Sequence, residues 1–134
     1  MFGYWACQFT GAIVGIWITH LMFSLPIIQE STKARTGLGI WFSEFISTLV
    51  LMSVIRIGDK EAKDRVPMLV ALTVTAGYWF TSSTFFANPA VALARSFTNT
   101  FVGIAPNDVL GFALAETLAV ILMISLFCHL KRHS

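Results

Sequence analysis

The stretch FFANPAVALAR, residues 85–95, places an Asn-Pro pair inside the most apolar part of the chain. No charged residue occurs from Val66 to Ala94, and Arg95 is the first charge after that run. Asn is a favoured N-cap residue, and Pro is favoured at the first position of a helix. Asn88-Pro89 therefore predicts the start of a new helix, preceded by irregular backbone around residues 81–86.

The composition predicts a membrane protein. Of the 134 residues, 56% are hydrophobic and only 12% are charged, whereas a soluble domain carries about 25% charged residues. The net charge of +2 is small and no basic stripe occurs, so the lipid bilayer is the expected partner and nucleic acid is not. The first apolar segment is too long for a signal peptide and lacks a basic start.

Four segments approach the roughly 20 apolar residues that a spanning helix needs. They are residues 3–25, 37–55, 66–82 and 109–130, of which the third is at the short end of the range. Four spans put both termini on one side, together with the linker between the second and third spans. That side holds six of the nine basic residues, and the positive-inside rule makes it cytoplasmic.

The Asn-Pro stretch has the length of a half-helix. From Asn88 to Thr98 is about ten residues, or about 15 Å, which is half the thickness of the hydrocarbon core. We predict a re-entrant half-helix that starts near the midplane of the bilayer. Its free N–H groups and positive dipole end can bind a polar solute and repel a cation. The alternative is a loop that only dips back and packs.

Three features of the sequence resemble the aquaporin family (major intrinsic proteins). Asn88-Pro89-Ala90 is similar to the second NPA box of that family. Glu44, within WFSEFIST at 41–48, matches the glutamate in the helix that opens the family's second repeat. Gln8 matches the polar position early in the family's third helix. The resemblance runs over nearly the whole chain and implies an all-α membrane protein with four transmembrane helices and one re-entrant half-helix.

The resemblance also implies how the chain is divided. Residues 1–30 correspond to the third helix of the family and residues 37–134 to its second repeat, which together form a single partial domain, 1–134. Asn88 precedes Glu116 by 28 residues, and the same offset before Gln8 falls upstream of the first residue. We therefore expect the first NPA box, its half-helix and the first two helices to be missing.

The resemblance assigns pore residues. Asn88-Pro89-Ala90 would form the pore centre, and Phe85, Val91 and Ala76 would form the selectivity constriction. Most family members carry an arginine where this chain has Val91, and Arg95 comes one turn later. Arg95 is therefore expected to be an interfacial anchor or a partner within the protein. A constriction without arginine would be wide, apolar on one side and free of fixed charge.

The stretch YWFTSSTFFANPAVALAR, 78–95, is most similar to a bacterial branch associated with arsenic-resistance loci. The resemblance implies a passive channel in the inner membrane for small neutral solutes such as water, glycerol and arsenous acid. It also implies a homo-oligomer, a tetramer with one pore per subunit. The alternative is an incomplete membrane protein with no pore of its own, acting as an assembly partner or a non-functional fragment.

Other ionisable residues have less specific interpretations. Glu44 lies within a span, and its role in the family is to accept hydrogen bonds from the loop before the half-helix, rather than to carry protons. For Glu116 we expect a carboxyl group that is packed within the protein with its hydrogen bonds satisfied. His20 and His129 lie near helix ends and are expected to be interfacial or solvated rather than ligands.

No feature of the sequence points to an enzyme. Cys7 and Cys128 lie in apolar segments without metal-ligand spacing and are expected to be small buried side chains rather than ligands or a disulfide. No Ser-His-Asp or Cys-His arrangement can be argued, and no glycine-rich phosphate loop follows a strand. We therefore expect neither a metal nor a cofactor.

Overall fold

The computed structural model describes residues 2–133, with side chains as far as His129. Every regular element in this range is helical, which confirms the prediction of an all-α fold. The α-helices are α1 (Phe2–Met22), α2 (Leu38–Glu61), α3 (Val66–Phe80), α4 (Pro89–Ala94) and α5 (Val109–His133). Single 3₁₀ turns cover Lys63–Arg65, Arg95–Phe97 and Pro106–Asp108.

Three helices of the described chain are long and apolar enough to cross a membrane: Phe2–Met22, Leu38–Glu61 and Pro106–His129. The third predicted span, residues 66–82, forms α3, which has only 15 residues and is about 22 Å long. It ends at Phe80 because the backbone of Thr81 is extended. The hydroxyl and the N–H of Thr81 both donate to the carbonyl of Gly77, at 2.7 and 3.1 Å, which closes the last turn.

Large apolar side chains cover much of the surface of the described residues. Phe2 is 94% exposed and Trp79 is 80% exposed, which fits a chain whose surroundings are lipid rather than water. For the same reason the expectation that the cysteines are buried is wrong. Cys7 and Cys128 are both exposed, because an apolar side chain in a spanning helix gains nothing by avoiding lipid.

The chain forms two compact units. The first comprises the chain up to Thr36 together with Asn88–Ala113, and the second comprises Gly37–Ala87 and the chain from Leu114 onward. In the first unit α1 packs against α4. In the second unit α2 packs against α3.

His20 holds the first unit together at the end of α1. Its side chain is 1% exposed, and its Nδ1 and Nε2 atoms lie 2.9 Å from the carbonyl oxygen of Ile27 and 2.8 Å from Oγ1 of Thr98. The expectation of a solvated histidine is therefore wrong for His20. Both ring nitrogens have partners, so the cost of burying the ring is offset by hydrogen bonds.

The loop after α1 is joined to the segment that follows α4. The side chain of Arg35 donates from Nε to the carbonyl of Gly103 at 2.9 Å and from Nη2 to the carbonyl of Phe101 at 2.7 Å. The backbone N–H of Arg35 donates to Asp108 at 2.6 Å. The two side-chain bonds satisfy backbone carbonyls that have no helical partner. Together the three bonds hold the loop after α1 against residues 101–108.

Candidate functional site

Asn88 starts α4 in the way that the sequence predicts. Its backbone is extended, with φ −161° and ψ 121°, and its side-chain Oδ1 accepts a hydrogen bond from the N–H of Ala90 at 2.9 Å. Pro89 occupies the first turn, where its missing N–H costs nothing. After Ala94 the chain continues as the 3₁₀ turn Arg95–Phe97, and the extended backbone of Thr98 ends it.

The other end of the Asn88 amide is held by α1. Its Nδ2 atom donates to Oε1 of Gln8 at 2.9 Å, and Nε2 of Gln8 donates in turn to the hydroxyl of Tyr4 at 2.8 Å. The amide oxygen is thus occupied by the helix N-terminus and the amide nitrogen faces Gln8. Because the two ends of the amide have different partners, its orientation is fixed.

A small cleft lies beside this pair of amides, within the first unit. Its volume is about 120 Å³, which is large enough for water or a small solute. The cleft is mainly apolar, and its polar groups are the Asn88 and Gln8 amides and the Tyr4 hydroxyl. The lining residues are Tyr4, Trp5, Gln8, Phe9, Asn88, Pro89 and Ala90.

Glu44 binds the backbone that leads to Asn88. Its carboxyl group is 0% exposed and accepts hydrogen bonds from the N–H groups of Phe86, at 3.3 Å, and of Ala87. Three residues of the segment 84–87 have positive φ values: 64° for Thr84, 53° for Phe85 and 48° for Ala87. Non-glycine residues in this region cost about 1–3 kcal/mol each and persist only where their surroundings hold them. Glu44 supplies part of that support.

The three residues assigned to the constriction differ in their surroundings. Phe85 is 2% exposed, and its ring lies against Gly77 of α3 so closely that a Cβ atom there would be 2.1 Å from Cδ2 of the ring. Ala76, the preceding residue of α3, is exposed. Val91 is half-buried on α4. Their assignment to a constriction remains a prediction.

Two other predicted residues have defined surroundings. Arg95 is half-buried, and its carbonyl accepts a hydrogen bond from the N–H of Ile104 at 3.2 Å. Glu116 is buried on α5. Within residues 2–133, no group of three or more His, Cys, Asp or Glu side chains is positioned to hold a metal ion.

Sequence reasoning named Gln8 but missed its contact with Asn88, which is 80 positions away. It missed Tyr4 altogether. The available signal was the spacing of Tyr4 and Gln8, since residues at i and i+4 share one face of a helix. That spacing indicates that the two side chains can interact, but it does not indicate what lies opposite them.

Comparison with known proteins gives one clear relative. The chain is 50% identical over 123 residues to the aquaglyceroporin AqpS of Rhizobium meliloti (strain 1021). The match covers 92% of this chain and 53% of the relative, so the chain spans about half of that protein's length. No family model matches the chain, and no solved structure matches it.

Proposed function

This chain is related to the aquaglyceroporins of the aquaporin family, and from that premise we propose that it lines a passive channel for small neutral solutes. Water, glycerol and arsenous acid are the candidate solutes. The observation that carries the proposal is the fixed pair of amides, Asn88 and Gln8, beside an apolar cleft in a multi-pass membrane protein. The relationship over 92% of the chain to a protein named as an aquaglyceroporin supports it.

The chemistry of the cleft suits a neutral, hydroxyl-bearing solute. Such a solute loses hydrogen bonds to water when it enters a membrane, and unreplaced bonds cost several kcal/mol. Amide groups can donate and accept, and therefore replace some of the lost bonds. An apolar wall packs against the carbon side of glycerol. A charged solute would lose much more solvation free energy than two amides replace.

The proposed constriction consists of Phe85, Val91 and Ala76, and the proposed pore centre is Asn88-Pro89-Ala90. Val91 brings no charge and fewer atoms than arginine to this position, so a solute larger than water fits more easily. A hydrophobic site also accepts the weakly hydrated face of arsenous acid. Glu44 contributes indirectly, because it holds the backbone of residues 86–87 that leads into the pore centre.

We place this channel in the inner membrane of a bacterium, with both termini in the cytoplasm. The orientation rests on the basic residues near the second linker and the C-terminus. We further propose a tetramer, by analogy with the family. Each subunit would then contribute one passage.

Glycerol permeability of reconstituted vesicles tests this function. Proteoliposomes containing the chain should take up glycerol faster than empty vesicles in a stopped-flow light-scattering experiment. Asn88→Ser retains an N-cap oxygen and removes the amide donor, so it should reduce glycerol uptake by about tenfold, which corresponds to one hydrogen bond of about 1.4 kcal/mol. The control is Asn107→Ser, which removes an exposed amide in the 3₁₀ turn before α5.

A second candidate function is an assembly partner that conducts only with another polypeptide. The observation in its favour is that the lining of the Asn88 cleft comes from α1 and the start of α4, so another polypeptide could supply the rest of its wall. Uptake no faster than in empty vesicles, with a correctly folded chain, would contradict the autonomous channel and favour the partner. Equal uptake by Asn88→Ser and the unaltered chain would contradict the assignment of the pore centre.

A further inference from the structure

A second, larger cleft lies within the second unit, between α2, the start of α3 and α5. Its volume is about 400 Å³. One part of its wall is apolar and comes from two helices: Met52 and Ile55 on α2, and Met123, Ile124 and Phe127 on α5. This wall consists of two flexible methionines, two isoleucines and one ring, which can pack against a chain of methylene groups.

Val66 and Pro67, at the start of α3, add to the apolar lining, and the remaining lining residues are charged. Arg56 and Asp59 follow the apolar residues along α2, and Lys63 lies in the 3₁₀ turn just beyond the helix. From Met52 to Asp59 the helix rises about 10 Å, so the lining changes from apolar to charged over about two turns. Two cations and one carboxylate leave this end of the cleft with a positive charge.

Arg56 is fixed at the cleft by an aromatic ring. Its guanidinium carbon lies 5.4 Å from the centroid of the Phe127 ring, within the range of a cation–π interaction. A guanidinium that lies over a ring keeps N–H groups that can donate to a phosphate. The side chain is exposed, so an anion can reach it.

The position of the charged end matches the surface of a bilayer. α2 is a membrane-capable helix, and its apolar part stops where Arg56, Asp59 and Lys60 begin. Spanning segments meet the headgroup region where charges begin. The apolar wall then lies at the depth of the acyl chains and the cations lie at the depth of the phosphates.

We propose that this cleft is a binding site for an anionic phospholipid. Arg56 and Lys63 bind the phosphate group, and one acyl chain lies along the wall formed by Met52, Ile55 and the residues of α5. The net positive charge selects a lipid with a net negative headgroup over a zwitterionic one. The site shares no lining residue with the Asn88 cleft, and the proposal does not depend on solute transport.

Native mass spectrometry of the purified chain in detergent tests the proposal. The probes are phosphatidylglycerol, phosphatidylcholine with the same acyl chains, and glycerol 3-phosphate. Phosphatidylglycerol should bind at least about fivefold more tightly than phosphatidylcholine, and glycerol 3-phosphate should not bind measurably. Arg56→Ala and Lys63→Ala should each weaken phosphatidylglycerol binding about fivefold, and Arg56→Lys, which keeps the charge, should weaken it less.

Lys60→Ala is the matched control. Lys60 lies on the same helix and carries the same charge, but it does not line the cleft and pairs with Glu61 at 3.4 Å. Its substitution should leave lipid binding unchanged. The proposal is overturned if both phospholipids bind equally, if Lys60→Ala weakens binding as much as Arg56→Ala and Lys63→Ala, or if glycerol 3-phosphate binds as tightly as the lipid. Arg56 and Lys63 are exposed, so circular dichroism should show native helicity in these variants.

Discussion

Glu44→Leu is expected to lower the free energy of unfolding by about 3 kcal/mol or more, because each buried donor left unsatisfied costs about 1–3 kcal/mol. The carboxyl group is fully buried and accepts from two backbone N–H groups. Leucine has about the right size but no acceptor, so the segment of residues 84–87 loses the group that holds its left-handed backbone. Reversible unfolding by SDS in mixed micelles, followed by circular dichroism, measures the change.

Two variants separate hydrogen bonding from other effects at this position. Glu44→Gln keeps one acceptor oxygen and should lose only part of the stability that Glu44→Leu loses. Glu61→Leu changes a residue on the same helix, but Glu61 is 64% exposed and pairs with Lys60 at the surface, so the effect should stay within about 0.5 kcal/mol. If Glu44→Leu unfolds at the same SDS fraction as the unaltered chain, Glu44 does not support the segment.

Gly77→Ala is expected to destabilise the chain by about 1–3 kcal/mol, which is the usual cost of overpacking. The effect is opposite to the ordinary one, since Ala is favoured over Gly by about 1 kcal/mol inside a helix. At Gly77 the new methyl group would lie 2.1 Å from the Phe85 ring. The ring must move, and it belongs to a residue with φ of 53° that has little freedom to adjust. The same SDS titration measures this change.

Gly11→Ala is the control for that experiment. A Cβ atom at Gly11, in the middle of α1, would meet no atom within 4 Å beyond its chain neighbours and the backbone of α1, so the substitution should be neutral or stabilising. Phe85→Leu should restore part of the stability lost by Gly77→Ala, which a double-mutant cycle would report as coupling. A stabilising effect of Gly77→Ala equal to that of Gly11→Ala would mean that the ring does not pack on α3.

Much of the helical framework follows from local sequence signals. The absence of charge from Val66 to Ala94 predicts membrane surroundings, and Asn88-Pro89 predicts a helix start that the structure has at Pro89. Both signals depend on neighbouring residues only. The end of α3 at Phe80 is harder to predict from the sequence, because it depends on the hydrogen bond from the hydroxyl of Thr81 to the carbonyl of Gly77.

Contacts between distant parts of the chain could not be predicted in the same way. His20 is buried because Thr98, 78 positions away, supplies a partner for its ring. The orientation of Asn88 depends on Gln8. The sequence shows that Gln8 is polar, but it does not show that Gln8 lies next to Asn88. The left-handed backbone at Thr84 and Phe85 could not be predicted from the sequence either. These residue types disfavour that conformation, and only tertiary hydrogen bonds and packing maintain it.

In the proposed channel, the Asn88 side chain faces a water-filled passage within the membrane. The most direct measurement is the reaction of Asn88→Cys with a charged, water-soluble methanethiosulfonate reagent in proteoliposomes. The exposed native cysteines must first be removed as Cys7→Ser and Cys128→Ser. The new thiol should react, glycerol should slow the reaction, and the modified protein should no longer pass glycerol. A thiol that reacts only with a lipid-soluble maleimide would contradict the proposed channel.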